Sequence, residues 1–236
     1  MRVLFVNPRS GTGLAQRLRS EAERCGISVL SLGDAAPAET AVVGVAGGDG
    51  SLAGVAGIAV DRDVPFVCVP CGTRNHFARD IGLGLDDPVA ALAAFDGEER
   101  RVDLGEAGGR PFLNNVSFGA YALLQHGRLR CVLERRRIEA VVDGEPVRAA
   151  ILLVGNNEYD RGGRRERLDA GELSIYATCG FLPRLCIERR APQVRIEFPG
   201  PTRVEAAIDG EAVTLESPVE LVVRPRALRL LVPPAR

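Results

Sequence analysis

An α/β amino-terminal domain with a parallel sheet, followed by an antiparallel β-rich domain, is the fold that this sequence predicts. Apolar runs of strand length alternate with helical-period stretches as far as about Gly105. Beyond that point the helical period fades into short β-rich segments divided by Gly, Pro or Asp-Gly. The boundary is placed between 104 and 105, with a nucleotide-binding type of αβ domain over 1–104 and the β-rich domain over 105–236.

Taken in order, residues 2–6 form an apolar strand that runs into Asn7-Pro-Arg-Ser-Gly-Thr-Gly13, after which Leu14, Leu18 and Ala22 recur at helical spacing. Strands are expected at 27–32 and 41–46, then the turn Gly47-Gly-Asp-Gly-Ser51 and a helix over 52–60. A further strand at 64–69 leads into Pro70-Cys-Gly-Thr-Arg-Asn75 and a helix from His76 or Phe77, and Pro88–Phe95 reads as one more helix. Right-handed crossovers between such strands put all three glycine turns at the carboxyl edge of one parallel sheet, where these folds bind ligands. In the second half, strands are expected at 111–118, 138–142, 146–154, 172–177, 193–198, 203–208 and 219–223. The echo between Ile138–Val147 and Val204–Val213 reads as two Asp-Gly hairpins. The Arg-rich pieces 135–137 and 161–167 read as solvated loops or edges.

Composition narrows the chemistry. The chain has 236 residues and 46% hydrophobic content, enough for one large or two small cores. Aromatics make up 5% and Trp is absent, so no platform for stacking bases is evident, and a formal net charge of -1 provides no field for polyanions. Nucleic acid is therefore not an expected partner. Every basic residue except the two histidines is Arg, which excludes a Walker-A lysine and a lysine Schiff base; bound phosphate must be held by backbone N–H groups, Arg or a metal. The six cysteines are expected as reduced thiols, and Cys68-Val-Pro-Cys71 as packing rather than a redox or zinc pair, because no second such pair completes four ligands. With no apolar run near membrane-spanning length and no secretory signal, a cytoplasmic location is expected, with peripheral contact at the inner membrane face admitted.

A Gly-Gly-Asp-Gly turn after a buried strand lets the backbone approach a phosphate, with N–H groups aimed at it and a carboxylate in reach for magnesium. The plain alternative is a glycine turn ahead of a helix capped by Ser51, and the motif alone leaves both open.

Seven segments in order sharpen the reading: Asn-Pro-x-Ser-Gly at 7–11, Gly-Gly-Asp-Gly-Ser at 47–51, Pro-x-Gly-Thr-x-Asn at 70–75 followed by Phe77-Ala-Arg79, Val-Asp-Leu-Gly at 102–105, Phe-Leu-Asn-Asn-Val-Ser-Phe-Gly at 112–119, Val-Gly-Asn at 154–156 and Asp-Gly-Glu at 209–211. Together they resemble diacylglycerol-kinase-like lipid kinases of the bacterial type nearly end to end, and the Gly-Gly-Asp-Gly turn is shared with the distantly related NAD kinases. The resemblance implies an αβ domain and an antiparallel β-sandwich domain with ATP between them, and transfer of the γ-phosphate to a lipid hydroxyl such as that of diacylglycerol.

Carried over by position, it places Asn7, Gly47, Gly48, Asp49, Gly50, Ser51, Gly72, Thr73 and Asn75 around the nucleotide. Asp49 is then beside the phosphates as a catalytic and magnesium-binding residue, Asp103 helps to organise magnesium through water, and Glu211 is the base. From the residues alone, Glu211 and Glu145 are indistinguishable, since both follow Asp-Gly in a hairpin. A homodimer is compatible with this reading.

Some positions depart from the family pattern. His76 stands where an Asp is usual, and Leu52-Ala53-Gly54 follows Ser51 where a Thr and then an Asn-Glu pair are common. Asp169-Ala170-Gly171 replaces the Asp-Asp-Gly that supplies a structural magnesium ligand in bacterial members, and the chain is short between Tyr121 and Ile138. Two other readings stay open on these grounds: a non-catalytic nucleotide-binding regulatory relative, and a kinase of another alcohol such as a sphingoid base or polyprenol.

Overall fold

The computed structural model describes residues 1–7, 12–125, 127, 137–178, 185–200 and 202–234. The expectations placed on residues 8–11, Cys131, Cys179, the side chain of Cys186 and the first two arginines of 135–137 lie outside these residues. The chain divides into two compact units, Met1–Val102 with Arg226–Arg236, and Asp103–Pro225.

The first unit opens with β1 (Arg2–Val6), α1 (Thr12–Arg24), β2 (Ser28–Ser31), β3 (Val42–Gly47), α2 (Asp49–Asp61) and β4 (Phe66–Pro70). It continues with α3 (His76–Asp80), a 3-10 helix over Ala90–Asp96 and the start of β5 (Glu98–Ala107). Strands β2, β1, β3 and β4 lie side by side in parallel, with Phe5 beside both Leu30 and Val45, and Val45 beside Cys68. β1, β3 and β4 are buried along nearly their whole length, as parallel strands covered on both faces must be, which is why their sequences are unbroken apolar runs. α1 sends Leu18 and Ala22 into a core shared with Leu4, Val67, Val69 and Phe95. The segment expected as an α-helix at 88–95 is instead a 3-10 helix, its N–H groups reaching back three residues, as in Leu92 to Val89 O at 3.0 Å. Its Phe95 ring lies over Gly44, where an added Cβ would stand 2.7 Å from the ring, so a strand glycine makes room for it.

The second unit contains β6 (Arg110–Phe112), β7 (Asn115–Gly119), α4 (Ala120–Gln125), β8 (Ile138–Val142), β9 (Glu145–Ala149), β10 (Ile151–Asn156), β11 (Leu173–Thr178), β12 (Leu185–Ala191), β13 (Gln193–Glu197), β14 (Arg203–Ile208) and β15 (Glu211–Glu216). The last strand, β16 (Val219–Val232), has partners in both units: Val219–Val222 pairs antiparallel with β13, whereas Leu230 and Leu231 run parallel to Phe66 and Val67 of β4. One antiparallel sheet has the order β12-β11-β10-β7-β14-β15, and β9, β8, β13 and the first half of β16 form the other layer. Val116, Phe118, Leu152 and Ile175 from the first meet Val142, Val194, Ile196 and Leu221 from the second in one core, which makes this unit a β-sandwich. The run expected as one strand at 146–154 is two, broken at Ala150, whose N–H turns to Thr178 O and whose carbonyl accepts from Ala120 N, both at 2.8 Å. Both echoed hairpins turn on Asp-Gly pairs with positive φ throughout, 47° and 89° at Asp143 and Gly144, and 48° and 85° at Asp209 and Gly210.

Candidate functional site

In the first unit the residue after β1 meets the turn that follows β3, and that turn meets the one that follows β4. Asn7, directly after β1, donates from Nδ2 to Ser51 Oγ at 3.0 Å. Gly47 has to be glycine for that contact, since an added Cβ would sit 2.7 Å from Ser51 Cβ. The second and third turns touch through bare backbone: a Cβ on Gly72 would stand 2.4 Å from Gly48 Cα. Asn75, in the left-handed region at φ 48°, closes the third turn by accepting from Gly72 N at 2.9 Å and donating to Gly72 O at 2.8 Å.

Asp49 locks this arrangement. It is the first residue of α2, with Gly48 as N-cap, so the helix begins inside the motif and Ser51 supplies no cap. Its buried carboxylate accepts from His76 N at 3.0 Å and Phe77 N at 3.1 Å, the opening N–H groups of α3. One side chain therefore satisfies the start of one helix while standing at the start of another, and the positive end of the α2 dipole faces the glycine turn. Gly48, Gly50 and Ser51 remain half-exposed and Thr73 exposed, so backbone and hydroxyl groups here are accessible to a ligand. Cys68 is buried beneath, and burial pushes its thiol far up and that of Cys71 up to about 11. Both are held as neutral thiols, the opposite of what a redox or zinc pair requires.

In the second unit, Asp103, Asn114, Asn156, Asn157, Arg165 and Asp209 are buried polar residues. Asp209 of Asp-Gly-Glu accepts backbone N–H groups from Leu113 (2.8 Å), Asn114 (2.7 Å) and Asn115 (3.0 Å). Asn156 donates to the carbonyls of Asp103 and Leu113 at 3.0 and 3.2 Å, and Asp103 accepts from Gly171 N at 2.7 Å. Four of the seven sequence motifs thus converge on one polar knot. Glu211 projects from it, exposed, at the first position of β15 opposite Ile208.

The same geometry separates two glutamates that the sequence could not. Asp143, ahead of Glu145, is exposed and takes only Arg195 N at 2.7 Å and the Arg189 guanidinium. The Asp209 turn is anchored to the protein interior and the Asp143 turn is not. Sequence reasoning also missed Arg165, which lies within a stretch read as solvated yet is 2% exposed. Its burial depends on acceptors far away in the chain, and nothing in the local Arg-Arg-Glu-Arg pattern signals them.

The residues fit magnesium in one place better than another. Each Asp49 oxygen accepts a backbone N–H, and a carboxylate oxygen is a hard donor able to take more than one partner, which suits an ion shared with nucleotide phosphates. Asp103 is 1% exposed and engaged by Gly171, so it suits at most an indirect role. At the departure at 170, Ala170 N donates to Asn157 Oδ1 at 3.0 Å, so protein groups close that loop. Among the described residues no three metal-binding side chains cluster.

Residues 28–107 match the model of the diacylglycerol kinase catalytic domain. The chain is 40% identical over 109 residues, 45% of its length and 32% of the relative's, to the "Probable lipid kinase YegS-like" protein of Pseudomonas fluorescens. It is 33% identical over 118 residues, 43% of its length and 38% of the relative's, to the "Diacylglycerol kinase" of Mycobacterium tuberculosis. The matched stretch thus spans about a third of the length of these curated relatives. In fold, the chain superposes on a diacylglycerol kinase from Bacillus anthracis with a TM-score of 0.70 at 19% identity, covering 98% of this chain and 96% of that one. An NAD kinase from Archaeoglobus fulgidus in complex with ATP gives 0.58 at 15% identity, covering 99% and 93%. The expected resemblance to diacylglycerol-kinase-like lipid kinases is borne out, and the expected fold, parallel αβ followed by antiparallel β-sandwich, is the one found.

Proposed function

We propose that this chain is an ATP-dependent lipid kinase that transfers the γ-phosphate to a lipid hydroxyl such as that of diacylglycerol. The observation that carries the reading is the backbone contact of Gly48 and Gly72 at the start of α2, tied by Asp49 to the third turn. It leaves a half-exposed glycine ledge at a helix N-terminus, the arrangement that binds phosphate without a lysine. Asn7 and Ser51 orient the ledge, Thr73 and the amides of 48–50 hold phosphate oxygens, and Asp49 keeps the turns together beside them. Asn75 shapes the turn that carries Thr73. Bound with the nucleotide, magnesium supplies neutralisation of phosphate charge. Glu211 accepts the proton of the acceptor hydroxyl as its oxygen attacks the γ-phosphorus and the bond from that phosphorus to the bridging oxygen breaks, ADP leaving with the electron pair, a role suited to an exposed carboxylate on an anchored turn. Reaching a lipid requires peripheral contact with a membrane face; among the described residues no helix is long and apolar enough to cross one.

The test is phosphotransfer from labelled ATP to diacylglycerol in mixed micelles with magnesium. Glu211→Gln is expected to lower transfer by about 100-fold or more, while Glu145→Gln stays within about twofold. Equal losses in the two variants defeat the assignment. The use of both Asp49 oxygens for backbone N–H groups favours one second reading, a nucleotide-binding regulatory relative. That reading prevails if ATP with magnesium raises the melting temperature more than GTP or NAD does, yet no acceptor in a lipid extract is phosphorylated.

A further inference from the structure

Arg165 is buried in the second unit, at 2% exposure, and the proposed chemistry has made no use of it. Its guanidinium donates from Nη1 to the carbonyls of Leu113 and Asn156, the latter at 3.1 Å, and from Nη2 to Asn114 Oδ1 at 2.6 Å. It also lies over the Tyr159 ring, 5.5 Å from the centroid, and the Tyr159 hydroxyl donates to Asn114 O at 3.1 Å. The N–H groups of 113–115 point to the Asp209 carboxylate. This short segment is therefore gripped by a cation through its oxygens and by an anion through its N–H groups. The lever ends at Glu211, two residues beyond Asp209 across a turn in which Asp209 and Gly210 both have positive φ.

We infer that Arg165 is a positioning residue that fixes the Asp209–Glu211 turn through the 113–115 segment, and so, resting on the reading of Glu211 as base, sets the rate of phosphoryl transfer. Taking a guanidinium out of water is costly, and an apolar side chain could fill the same space. What an apolar side chain cannot do is span carbonyl and amide oxygens from separate segments with a planar fork of donors, nor can a lysine ammonium do so as well. The Asp143–Gly144–Glu145 turn supplies the contrast, having the same local geometry and an exposed Asp. The platform of 113–115 and Arg165 is what distinguishes the two turns.

The test compares the unsubstituted protein with Arg165→Met and Arg165→Lys by amide hydrogen exchange, then by phosphotransfer. In Arg165→Met, exchange over 205–213 is expected to rise by about tenfold while 172–178 and 138–149 stay unchanged, with Arg165→Lys in between. Unchanged exchange over 205–213 overturns the inference whatever the activity. If Arg165→Met loosens the control segments too, Arg165→Lys decides, and equal loosening of 205–213 and the controls in that variant also overturns it. In turnover, kcat is expected to fall about tenfold with KM for ATP within about twofold, and Arg165→Met should add nothing in a Glu211→Gln background. A further loss in the double variant means that Arg165 acts elsewhere and defeats the inference. If the unsubstituted protein transfers no phosphate, the kinase reading falls by itself, and the exchange result still decides the role of Arg165.

Discussion

The candidate site depends on the glycine at 72, whereas the glycine at 54 is spare. At Gly72 an added methyl meets Gly48 Cα at 2.4 Å and Asn75 Oδ1 at 2.8 Å, so backbone must move. Gly72→Ala is therefore expected to cost about 1–3 kcal/mol in urea unfolding and to abolish the stabilisation by ATP. Gly54 lies inside α2, exposed, with nothing within 4 Å of an added Cβ, so Gly54→Ala is expected to stabilise by about 0.5–1 kcal/mol and to leave ATP binding alone. Cys71 gives a reactivity counterpart. With its thiol held near 11 by burial, it should alkylate at pH 8 at least about 100-fold more slowly than exposed Cys25, read by peptide mass. Comparable rates would mean that the third turn opens. The glycine ledge was legible in the sequence because turn residues declare themselves locally. The roles of Asp209 and Arg165 were not, since Asp209 is held by partners 94 to 96 positions away and Arg165 reaches Leu113 and Asn114, 52 and 51 positions away, as well as the nearer Asn156.

Among the elements, legibility followed burial. β1, β3 and β4 are covered on both faces and read as unbroken apolar runs, and β13 alternates cleanly between exposed and buried positions. β5 opens with Glu-Glu-Arg-Arg and β12 carries Glu-Arg-Arg, so neither shows an apolar period, and both escaped notice. Charge at an edge is used instead of apolar area: Glu99 of β5 and Arg229 of β16 form a two-pronged ion pair at 3.0 and 2.8 Å, with Arg229 also on Asp63 O. The hydrogen bond from Arg229 holds the Glu99 carboxyl below the usual range. Because the folded-state value is the lower one, the stabilisation is present above about pH 4.3 and is lost as pH falls through the folded value. Both side chains are partly exposed, so the effect is small, below about 1 kcal/mol. Glu99→Gln is expected to lower the urea midpoint slightly at pH 7 and by progressively less as pH falls below about 4.3. A difference that does not shrink with falling pH would assign the loss to packing instead.

On the scale of the whole molecule, β16 carries two allegiances: Arg224-Pro225-Arg226 interrupts its apolar alternation, and the strand expected at 219–223 continues beyond that break to Val232 with new partners. Its first half belongs with β13 in the sandwich, and Leu230 and Leu231 complete the parallel sheet beside β4. Leu221 is packed among Val194, Ile196 and Phe118, and Leu231 among Val67, Val69 and Phe95. Truncating either creates a cavity worth about 2–5 kcal/mol, yet the two losses should appear in different places. Leu221→Ala is expected to speed amide exchange over β10 and β11 with β3 and β4 protected as before, and Leu231→Ala to do the reverse. The parallel sheet of the first unit therefore includes the last strand of the chain. The two cores are built separately, from residues 1–102 with 226–236 and from 103–225, so their stabilities are set by different leucines of one strand. Matching loss of protection in both sets of strands from either substitution would show instead that the units unfold as a single cooperative body.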